Sequence, residues 1–487
     1  MKSIVWIGLI FGVSVFAADK FDFPVGKERR PPLEALVVCE GKAEQSHCSV
    51  QTPLGETLQG LCRHVPSGEF ACVPLGHGEP SQSKKETPPP SPKRTASKAN
   101  VLKGEAHVLP DTNQRQCFDV MGDRVECMFS GQDGMYTQHR PDFDVHVKGI
   151  VTDNITHIMW QKSPDTNNDG RIDYQDKMTI NKAFSYCDNL RLGGYDDWVL
   201  PDIKSLYSII DFSGKDIGPQ TNPNGKDLHP FLDTRVFDFG YGDTSNGERM
   251  IDAQYASSTY YTAKEGMVFG VNMADGRIKG YGLVHPQHGE KRFYVQCARN
   301  LKGYGHNMFK ENNNQTISDH STGLMWQQED SQKPMAWDKA IDYCERSKTA
   351  GYEDWRLPNA KELQSIVDYT RSPDTTQSPA LHKSFRTTAI INENGQKDFG
   401  YFWTSTTHKN DRNVGDHAVY ISFGRALGYM RGHWVDVHGA GAQRSDPKSK
   451  EILLRERGVK QIGSAYSKGP QGDVLRGENF VRCVRDE

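Results

Sequence analysis

Residues 351–363, GYEDWRLPNAKEL, form the segment that decides how the larger part of this chain folds. A closely similar segment, GYDDWVLPDIKSL, occupies residues 194–206. Cys187 lies 11 residues before Trp198, and Cys344 lies 11 residues before Trp355. The likeness extends to three further pairs of segments: DNITHIMWQ (153–161) with DHSTGLMWQ (319–327), YASSTYYT (255–262) with FWTSTTHK (402–409), and FYVQCARN (293–300) with FVRCVRDE (480–487). Such self-similarity indicates an internal duplication.

Each copy is predicted to contain two helices and several short strands. Ala183, Phe184, Cys187 and Leu190 recur at helical spacing, and Gly193 with Gly194 is expected to end that helix. A second helix should follow Pro201, and in the second copy Asn359 and Glu362 have the spacing of a capping box. The fold class is therefore α+β, with helices packed against an irregular antiparallel sheet. Tryptophans near the cysteines favour core packing over sugar stacking. They are Trp160, Trp198, Trp326 and Trp355.

Five motifs of the second copy resemble the Lcl C-terminal domain family: TGLMWQ (322–327), W…A…YC (337–344), GYEDWRLPNAKEL, FWTST (402–406) and FVRCVR (480–485). The resemblance implies two tandem C-type-lectin-like domains in a secreted or surface bacterial protein, and binding of sulfated polysaccharides as in the family's namesake. The first copy departs from the motifs, because His157 and Ile158 stand in place of TGL and Val199 replaces the arginine of DWRLP. Both copies lack the sugar-binding triplets of C-type lectins, so calcium-bridged sugar recognition does not carry over. A fold alone does not establish a function.

Composition and the first residues predict an exported protein. The chain has 487 residues and a net charge of −3, which gives no reason to expect a nucleic-acid partner. Residues 1–17 read as a signal peptide, since the apolar run from Ile4 to Phe16 is too short to span a bilayer and small residues follow it. No later segment is apolar enough to span a membrane. We therefore expect a secreted, periplasmic or cell-surface location.

Ten cysteines in an exported chain predict a disulfide framework. Cys39, Cys48, Cys62 and Cys72 define a small module (31–78), whose pairing the sequence leaves open. A Pro/Ser/Lys-rich linker (79–104) should follow, and then a hairpin (105–140) closed by Cys117 and Cys127. The first copy is assigned to residues 141–300 and the second to 305–487. The order within the copies suggests that Cys187 pairs with Cys297 and Cys344 with Cys483.

The stretch DTNNDGRIDYQD (165–176) has the spacing of a calcium loop. Its candidate ligands are Asp165, Asn167, Asp169, the backbone carbonyl of Arg171, Asp173 and Asp176. The loop lies in an insertion found only in the first copy, where Trp160 and Cys187 are 27 positions apart against 18 for Trp326 and Cys344. The alternative is a solvated turn that caps the next helix and binds nothing. Calcium would hold the loop in place and would have no catalytic part.

A second candidate site lies in GRALGYMRGHWVDVHG (424–439), where basic and aromatic side chains alternate in a way that suits an anionic glycan. These residues are Arg425, Tyr429, Arg431, His433 and Trp434. A solvated loop is an equally good interpretation of the pattern.

Three functions stay open from the sequence, because no hydrolase, metalloprotease or nucleotide-binding motif occurs. The first is a non-enzymatic, adhesin-like protein that binds polysaccharide or a cell-surface glycan. The second is an oxidase of the formylglycine-generating type, which has a related fold and requires reactive free thiols. The third is a structural envelope protein that binds other proteins. We favour the first.

Overall fold

The computed structural model describes residues 33–43, 46–51, 57–64, 70–74, 106–218, 228–285, 289–410 and 415–487. The expected signal peptide (1–17) and linker (79–104) lie outside these ranges. The chain divides into two compact units, residues 1–99 and 100–487. In the described ranges, no helix combines the length and the apolar character needed to cross a bilayer.

The N-terminal unit is a small antiparallel sheet held by two disulfides. Its elements are α1 (Leu33–Val37), β1 (His47–Gln51), β2 (Thr57–His64) and β3 (Phe70–Pro74), and the strand order is β1-β2-β3. Cys39 pairs with Cys62 and Cys48 with Cys72, and these sulfurs form most of the buried core. Because so few apolar residues are buried, crosslinks have to supply much of the stability of such a module.

The described part of the larger unit begins with the segment 106–140, which contains β4 (Cys117–Phe118) and β5 (Arg124–Val125). The predicted hairpin is confirmed: the two strands pair, and Cys117–Cys127 closes them. The segment also packs against both copies. Asn113 donates a hydrogen bond from its side chain to Asp211 in the first copy, at 3.0 Å. Gln114 donates one to the carbonyl of Thr407 in the second, at 2.7 Å.

The two copies share one order of elements over most of their length. The first contains β6 (Phe143–His146), β7 (Ile150–Asp153), β8 (Met159–Gln161), α2 (Ile180–Asn189), α3 (Ile203–Ser208), β9 (Gln254–Tyr260), β10 (Met267–Asn272), β11 (Arg277–Gly282), β12 (Val284–His285), β13 (Gly289–Glu290) and β14 (Ala298–Arg299). The second begins with β15 (Phe309–Glu311), β16 (Thr316–Asp319), β17 (Leu324–Gln327), α4 (Trp337–Glu345), α5 (Ala360–Ser365), β18 (Ala389–Ile391), β19 (Lys397–Phe399), β20 (Tyr401–Thr407) and β21 (His417–Ser422). Four strands of each copy form equivalent sheets, ordered β14-β8-β7-β6 and β28-β17-β16-β15, where β28 is the C-terminal strand (Val484–Asp486).

The second copy carries an additional sheet between β21 and β28. The chain between β21 and β28 contains β22 (Leu427–Met430), β23 (His433–Asp436), β24 (Gln443–Pro447), α6 (Lys450–Arg455), β25 (Lys460–Ile462), β26 (Ala465–Lys468) and β27 (Asp473–Leu475), and of these β24 belongs to a different, six-stranded sheet. Five of these strands are ordered β23-β22-β27-β26-β25, so β23 is an edge strand. Strands clearly outnumber helices, and the structure is a β-rich, disulfide-bonded fold.

Local sequence signals account for much of α2 and for the start of α5, but α2 ends at Asn189, so the expectation that Gly193 and Gly194 end it is wrong. On α2, Ile180, Ala183 and Cys187 are buried, as the helical spacing predicts. The predicted capping box of α5 is confirmed, because Asn359 accepts from the amide of Glu362 at 2.9 Å and donates its own amide to that carboxylate at 2.8 Å. Both bonds satisfy amides that a helix start leaves without partners.

Each copy buries its own disulfide, as the order of the cysteines suggested. Cys187–Cys297 lies in a core with Trp198, and Cys344–Cys483 lies in a core with Trp355 and Trp403. A third core draws residues from both copies, including Trp160 from the first and Trp326 from the second. All four tryptophans singled out from the sequence are at most 1% exposed, so the core-packing prediction is confirmed.

The two copies are joined edge to edge in one six-stranded sheet. Its order, β20-β21-β24-β11-β10-β9, places three strands of the second copy beside three of the first. Helices α3 and α5 make a reciprocal contact: Lys204 donates to the carbonyl of Ser365 at 2.6 Å, and Lys361 donates to the carbonyl of Ser208 at 2.8 Å. Burial lowers the pKa of each of these two lysines to about 8. The copies therefore pack about an approximate twofold axis.

A buried ion cluster crosses the seam between β11 and β24. Arg277 Nη1 lies 2.6 Å from Asp216 and 3.4 Å from Asp275, and Nη2 donates to Ser445 of the second copy at 3.1 Å. Although burial opposes the charged form, Arg277 lowers the pKa of Asp216 to about 2. Asp275 also pairs with Lys279 at 2.6 Å, so Asp216 is the carboxylate that depends on the guanidinium of Arg277 for an ion pair.

Candidate functional site

The loop 165–176 adopts tight turns that a cation-binding loop requires. Asn168 and Gly170 have positive φ angles of 58° and 82°, a conformation that glycine adopts most easily. Asp165 Oδ2 accepts from the amide of Gly170 at 2.9 Å, and Asp169 Oδ1 accepts from the amide of Arg171 at 2.9 Å. These bonds bend the chain back over the first residue of the loop.

The last residues of the loop also begin the next helical turn. A 3-10 helix covers Tyr174–Asp176, and its N-cap Asp173 accepts from the amide of Gln175 at 2.9 Å. The carboxylate of Asp176 accepts from the amides of Asp173, at 2.9 Å, and of Thr166, at 2.8 Å, and so ties the two ends of the loop together. Two longer bonds, from the hydroxyl of Thr166 at 3.3 Å and the amide of Asn167 at 3.4 Å, also reach this carboxylate, so a metal ion would have to displace some of these donors.

One carboxylate oxygen of the loop is buried without a partner. Asp165 Oδ1 makes no hydrogen bond, an arrangement that costs free energy unless a cation or another donor satisfies it. The carboxylate oxygens of the loop, however, are not gathered closely enough to surround a metal ion. Among the described residues, three ligand atoms of His, Cys, Asp or Glu lie within 4.8 Å of one another only at Cys39, Cys48 and Cys72, which are in disulfides. The residues of the loop fit calcium chemically, and binding requires their side chains to rotate.

Two contacts determine how freely the loop can adjust. Ile172 packs against the main core and its carbonyl lies close to Gly240, where a Cβ would come within 2.5 Å. The guanidinium of Arg171, 68% exposed, pairs with Asp173 at 2.7 Å. Such an exposed pair contributes less than about 1 kcal/mol, so a cation can take over that carboxylate. The loop is therefore anchored at Ile172 and by the hydrogen bonds to Asp165 and Asp176, whereas the exposed pair of Arg171 and Asp173 can separate.

The second predicted site forms the tip of a β-hairpin, which we define as residues 429–434. Tyr429 pairs with Trp434 and Met430 with His433 across β22 and β23. The two residues between the strands, Arg431 and Gly432, have φ angles of 52° and 86°, as in the two-residue turns that suit the twist of a hairpin. The rings of Tyr429 and Trp434 are 5.1 Å apart and half-buried, while Met430, Arg431 and His433 are exposed. The tip presents one guanidinium and one imidazole beside an aromatic pair.

The duplicated motifs are also recognised by comparison with known families. The model of the Lcl C-terminal domain matches the chain twice, over residues 149–299 and 315–438. The chain belongs to the Lcl C-terminal domain family. No characterised protein and no solved structure matches it.

Arg425 does not join the other four predicted ligand residues at the hairpin tip. It is 8% exposed, its guanidinium pairs with Asp374, and Nη1 lies 3.4 Å from Asp398. A Gly-Arg pair occurs at the corresponding place in the first Lcl C-terminal copy, where Arg277 pairs with Asp216. Like Arg277, Arg425 therefore forms an ion pair within the fold. The sequence interpretation missed this because Asp374 lies 51 positions away along the chain.

Sequence reasoning also missed a polar cavity beside the GYEDWRLPNAKEL motif of the second Lcl C-terminal copy. Arg356, Asn359 and Glu362 of that motif line it together with Asp133 and Ser405. The duplicated motif was the only feature of the sequence that indicated the region of this cavity. Asp133 and Ser405 belong to distant segments, and no spacing rule connects them.

Proposed function

We propose that this protein is an exported, non-enzymatic binding protein of lectin-like fold that binds an anionic polysaccharide through the hairpin tip. The supporting observation is the exposure of Arg431 and His433 next to the ring pair of Tyr429 and Trp434. A guanidinium matches the geometry of a sulfate or carboxylate, and an aromatic face offers apolar contact to a sugar ring. Because the chain as a whole has a net charge of −3, only the local positive charge of the hairpin tip can attract an anionic polysaccharide. Salt should screen this attraction and weaken binding.

The cysteines support a binding protein over the alternative oxidase. All ten are in disulfides and none is free. The oxidase chemistry requires reactive thiolates, which a disulfide-bonded cysteine does not supply. Five disulfides also favour an oxidising compartment, in agreement with export.

The calcium part of the proposal rests on the loop 165–176. Asp165, Asn167, Asp169, the carbonyl of Arg171, Asp173 and Asp176 would supply the hard oxygens that calcium prefers. The unpartnered Oδ1 of Asp165 is the observation in its favour. Position 12 is an aspartate, which has a shorter reach than glutamate, so we expect a dissociation constant of roughly 10⁻⁴ to 10⁻³ M. Calcium would rigidify the loop.

Glycan binding is tested with dextran sulfate and neutral dextran immobilised on a sensor. The wild type should bind only the sulfated polymer, and less at higher salt. Arg431→Ala combined with His433→Ala should weaken binding roughly tenfold, since contacts of exposed charged groups contribute only about 0.2 to 1 kcal/mol each and tenfold corresponds to about 1.4 kcal/mol. Arg346→Ala removes another exposed guanidinium, 82% exposed and directly after the end of α4, and is the matched control. Equal loss in both variants would argue against the hairpin tip.

Calcium binding is tested by titration calorimetry on the full chain. The wild type should bind one ion in the millimolar range or more tightly, and Asp165→Ala should weaken binding at least tenfold. Asp188→Ala removes an exposed carboxylate of α2 in the same copy and should change nothing. If the wild type releases no heat at millimolar calcium, the loop is a solvated turn.

A further inference from the structure

A polar cavity of about 170 Å³ lies between the segment 106–140 and the second Lcl C-terminal copy. The cavity is large enough for a group of several heavy atoms, because cavities of about 150 Å³ hold a benzene ring. Part of its wall is apolar and includes Leu109 and Leu324. The rest carries four carboxyl groups, those of Asp111, Asp133, Glu362 and Asp486.

The cations near the cavity are already committed to other partners. Arg356 donates to both oxygens of Glu362 at 2.7 Å and to Asp486 at 2.9 Å. Lys361 donates to the backbone carbonyls of Asp111, at 3.0 Å, and of Ser208, at 2.8 Å. Neither Arg356 nor Lys361 forms an ion pair with the carboxyl group of Asp133.

Asp133 is the carboxyl group of the cavity that no cation compensates. It is 2% exposed, and its Oδ2 accepts from the hydroxyls of Thr112, at 2.8 Å, and Thr406, at 2.5 Å. It forms no ion pair with any residue in the described ranges. Burial raises its pKa to about 7. A cationic ligand would stabilise the ionised form, since an isolated buried carboxylate is costly.

A second, independent observation also indicates a ligand. Ser405 lines the cavity and is 1% exposed, and its hydroxyl has no hydrogen-bond partner. Buried hydroxyls are normally satisfied, and one left open costs about 1 to 3 kcal/mol. A ligand that donates a hydrogen bond would satisfy Ser405 and Asp133 together.

The chemistry of the wall selects among ligands. The uncompensated carboxyl group of Asp133 disfavours sulfate and phosphate groups, since like charges repel. Among the described residues, no three acidic side chains of this cavity bring ligand oxygens within 4.8 Å of one another, so a metal ion has too few ligands. An ammonium group carries three donors and a compact charge. An aliphatic stem would lie against the apolar part of the wall.

We infer that this cavity binds a primary alkylammonium group, with Asp133 and Ser405 accepting its hydrogen bonds. The site is separate from the hairpin tip and from the loop 165–176, and it does not depend on the proposed glycan function. Free alkylamines and the lysine side chain of a peptide carry the same group, and the two can be distinguished by experiment.

The test is calorimetric or NMR-detected titration of the full chain with n-butylammonium at pH 8. This pH lies above the pKa of Asp133 and below that of an alkylamine, about 10.5. The wild type should bind n-butylammonium saturably and should not bind n-butanol, which has the same shape without the charge. Equal response to the two compounds overturns the proposal, whatever the variants do. Binding of Nα-acetyl-lysine amide with similar affinity assigns a peptide lysine as ligand, and a loss of binding assigns a free amine.

Two variants and a matched control locate the binding. Asp133→Asn keeps the shape and an acceptor oxygen and should weaken n-butylammonium binding at least roughly tenfold, and Ser405→Ala should weaken it roughly threefold. Asp153→Asn changes another buried carboxyl with a raised pKa, outside the cavity, and should leave the affinity unchanged. Full affinity in folded Asp133→Asn, or equal loss in Asp153→Asn, would place the ligand elsewhere.

Discussion

Removal of the guanidinium at the seam, by Arg277→Met, should destabilise the larger unit strongly. Arg277 and Asp216 are 16% and 11% exposed at their side chains, and their charged atoms lie 2.6 Å apart. Loss of one partner from a buried pair costs about 3 to 5 kcal/mol, because the remaining charge stays buried without compensation. The measurement is urea unfolding at pH 7 with the disulfides intact, followed by tryptophan fluorescence.

The matched control is Arg299→Met. Arg299 pairs with Asp197 at the same 2.6 Å, but this carboxylate is 57% exposed, so water can replace the guanidinium and the loss should stay below about 1 kcal/mol. Both variants remove a guanidinium that lies 2.6 Å from its carboxylate. They differ in the exposure of the carboxylate that remains, which is 11% for Asp216 and 57% for Asp197. Equal losses for both would refute the reasoning from burial.

The loss in the free energy of unfolding that Arg277→Met causes should also depend on pH. In the wild type the folded pKa of Asp216 lies below its usual 3.8, at about 2, so its contribution is present above pH 4 and disappears as the pH falls through 2. In the variant the lowering effect of Arg277 is lost, so burial should raise the pKa of Asp216, and protonation then relieves the stranded carboxylate. The stability difference should therefore shrink between pH 7 and pH 4, and a constant difference would contradict the assignment.

Three further outcomes can be checked by unfolding experiments. Burial opposes protonation of His417, but two hydrogen-bonded carboxylates raise its pKa to about 9; His417→Gln should therefore lose most stability below pH 6.5, and the loss should fade as the pH rises through 9. Replacing Cys344 and Cys483 by alanine should cost about 5 kcal/mol in the chain-entropy model for a separation of 139 residues, and a change below 1 kcal/mol would contradict it. Gly280→Ala should cost roughly 1 to 3 kcal/mol, because its Cβ would lie 2.7 Å from the carbonyl of His438 at the seam; unchanged stability would mean that the seam can open there.

Much of each copy could be predicted from the residues alone. Spacing predicted the helix that buries Ala183 and Cys187, and the Asn359 capping signal predicted the start of α5. The matching order of the cysteines suggested the disulfides within the copies. These features succeed because helical periodicity and caps are properties of neighbouring residues, and because a duplicated sequence indicates equivalent partners.

The candidate sites were predicted less completely. The sequence located the acidic loop and the hairpin tip, but it included Arg425, whose partner Asp374 comes from a distant turn. It left three possible pairings among the N-terminal cysteines, of which the structure has Cys39–Cys62 with Cys48–Cys72. Whether a charged side chain faces solvent depends on which other segment covers it, and local spacing does not contain that information.

By itself, the sequence determined that this protein contains two copies of one fold, and it suggested a disulfide and buried tryptophans within each copy. Only the tertiary structure decided that the copies share a sheet and a central core, and that the segment 106–140 closes a cavity against the second copy. The physical reason is that a hydrophobic pattern records which face of an element is buried. It does not record the identity of the element that buries it, since many apolar surfaces of similar size satisfy the same pattern.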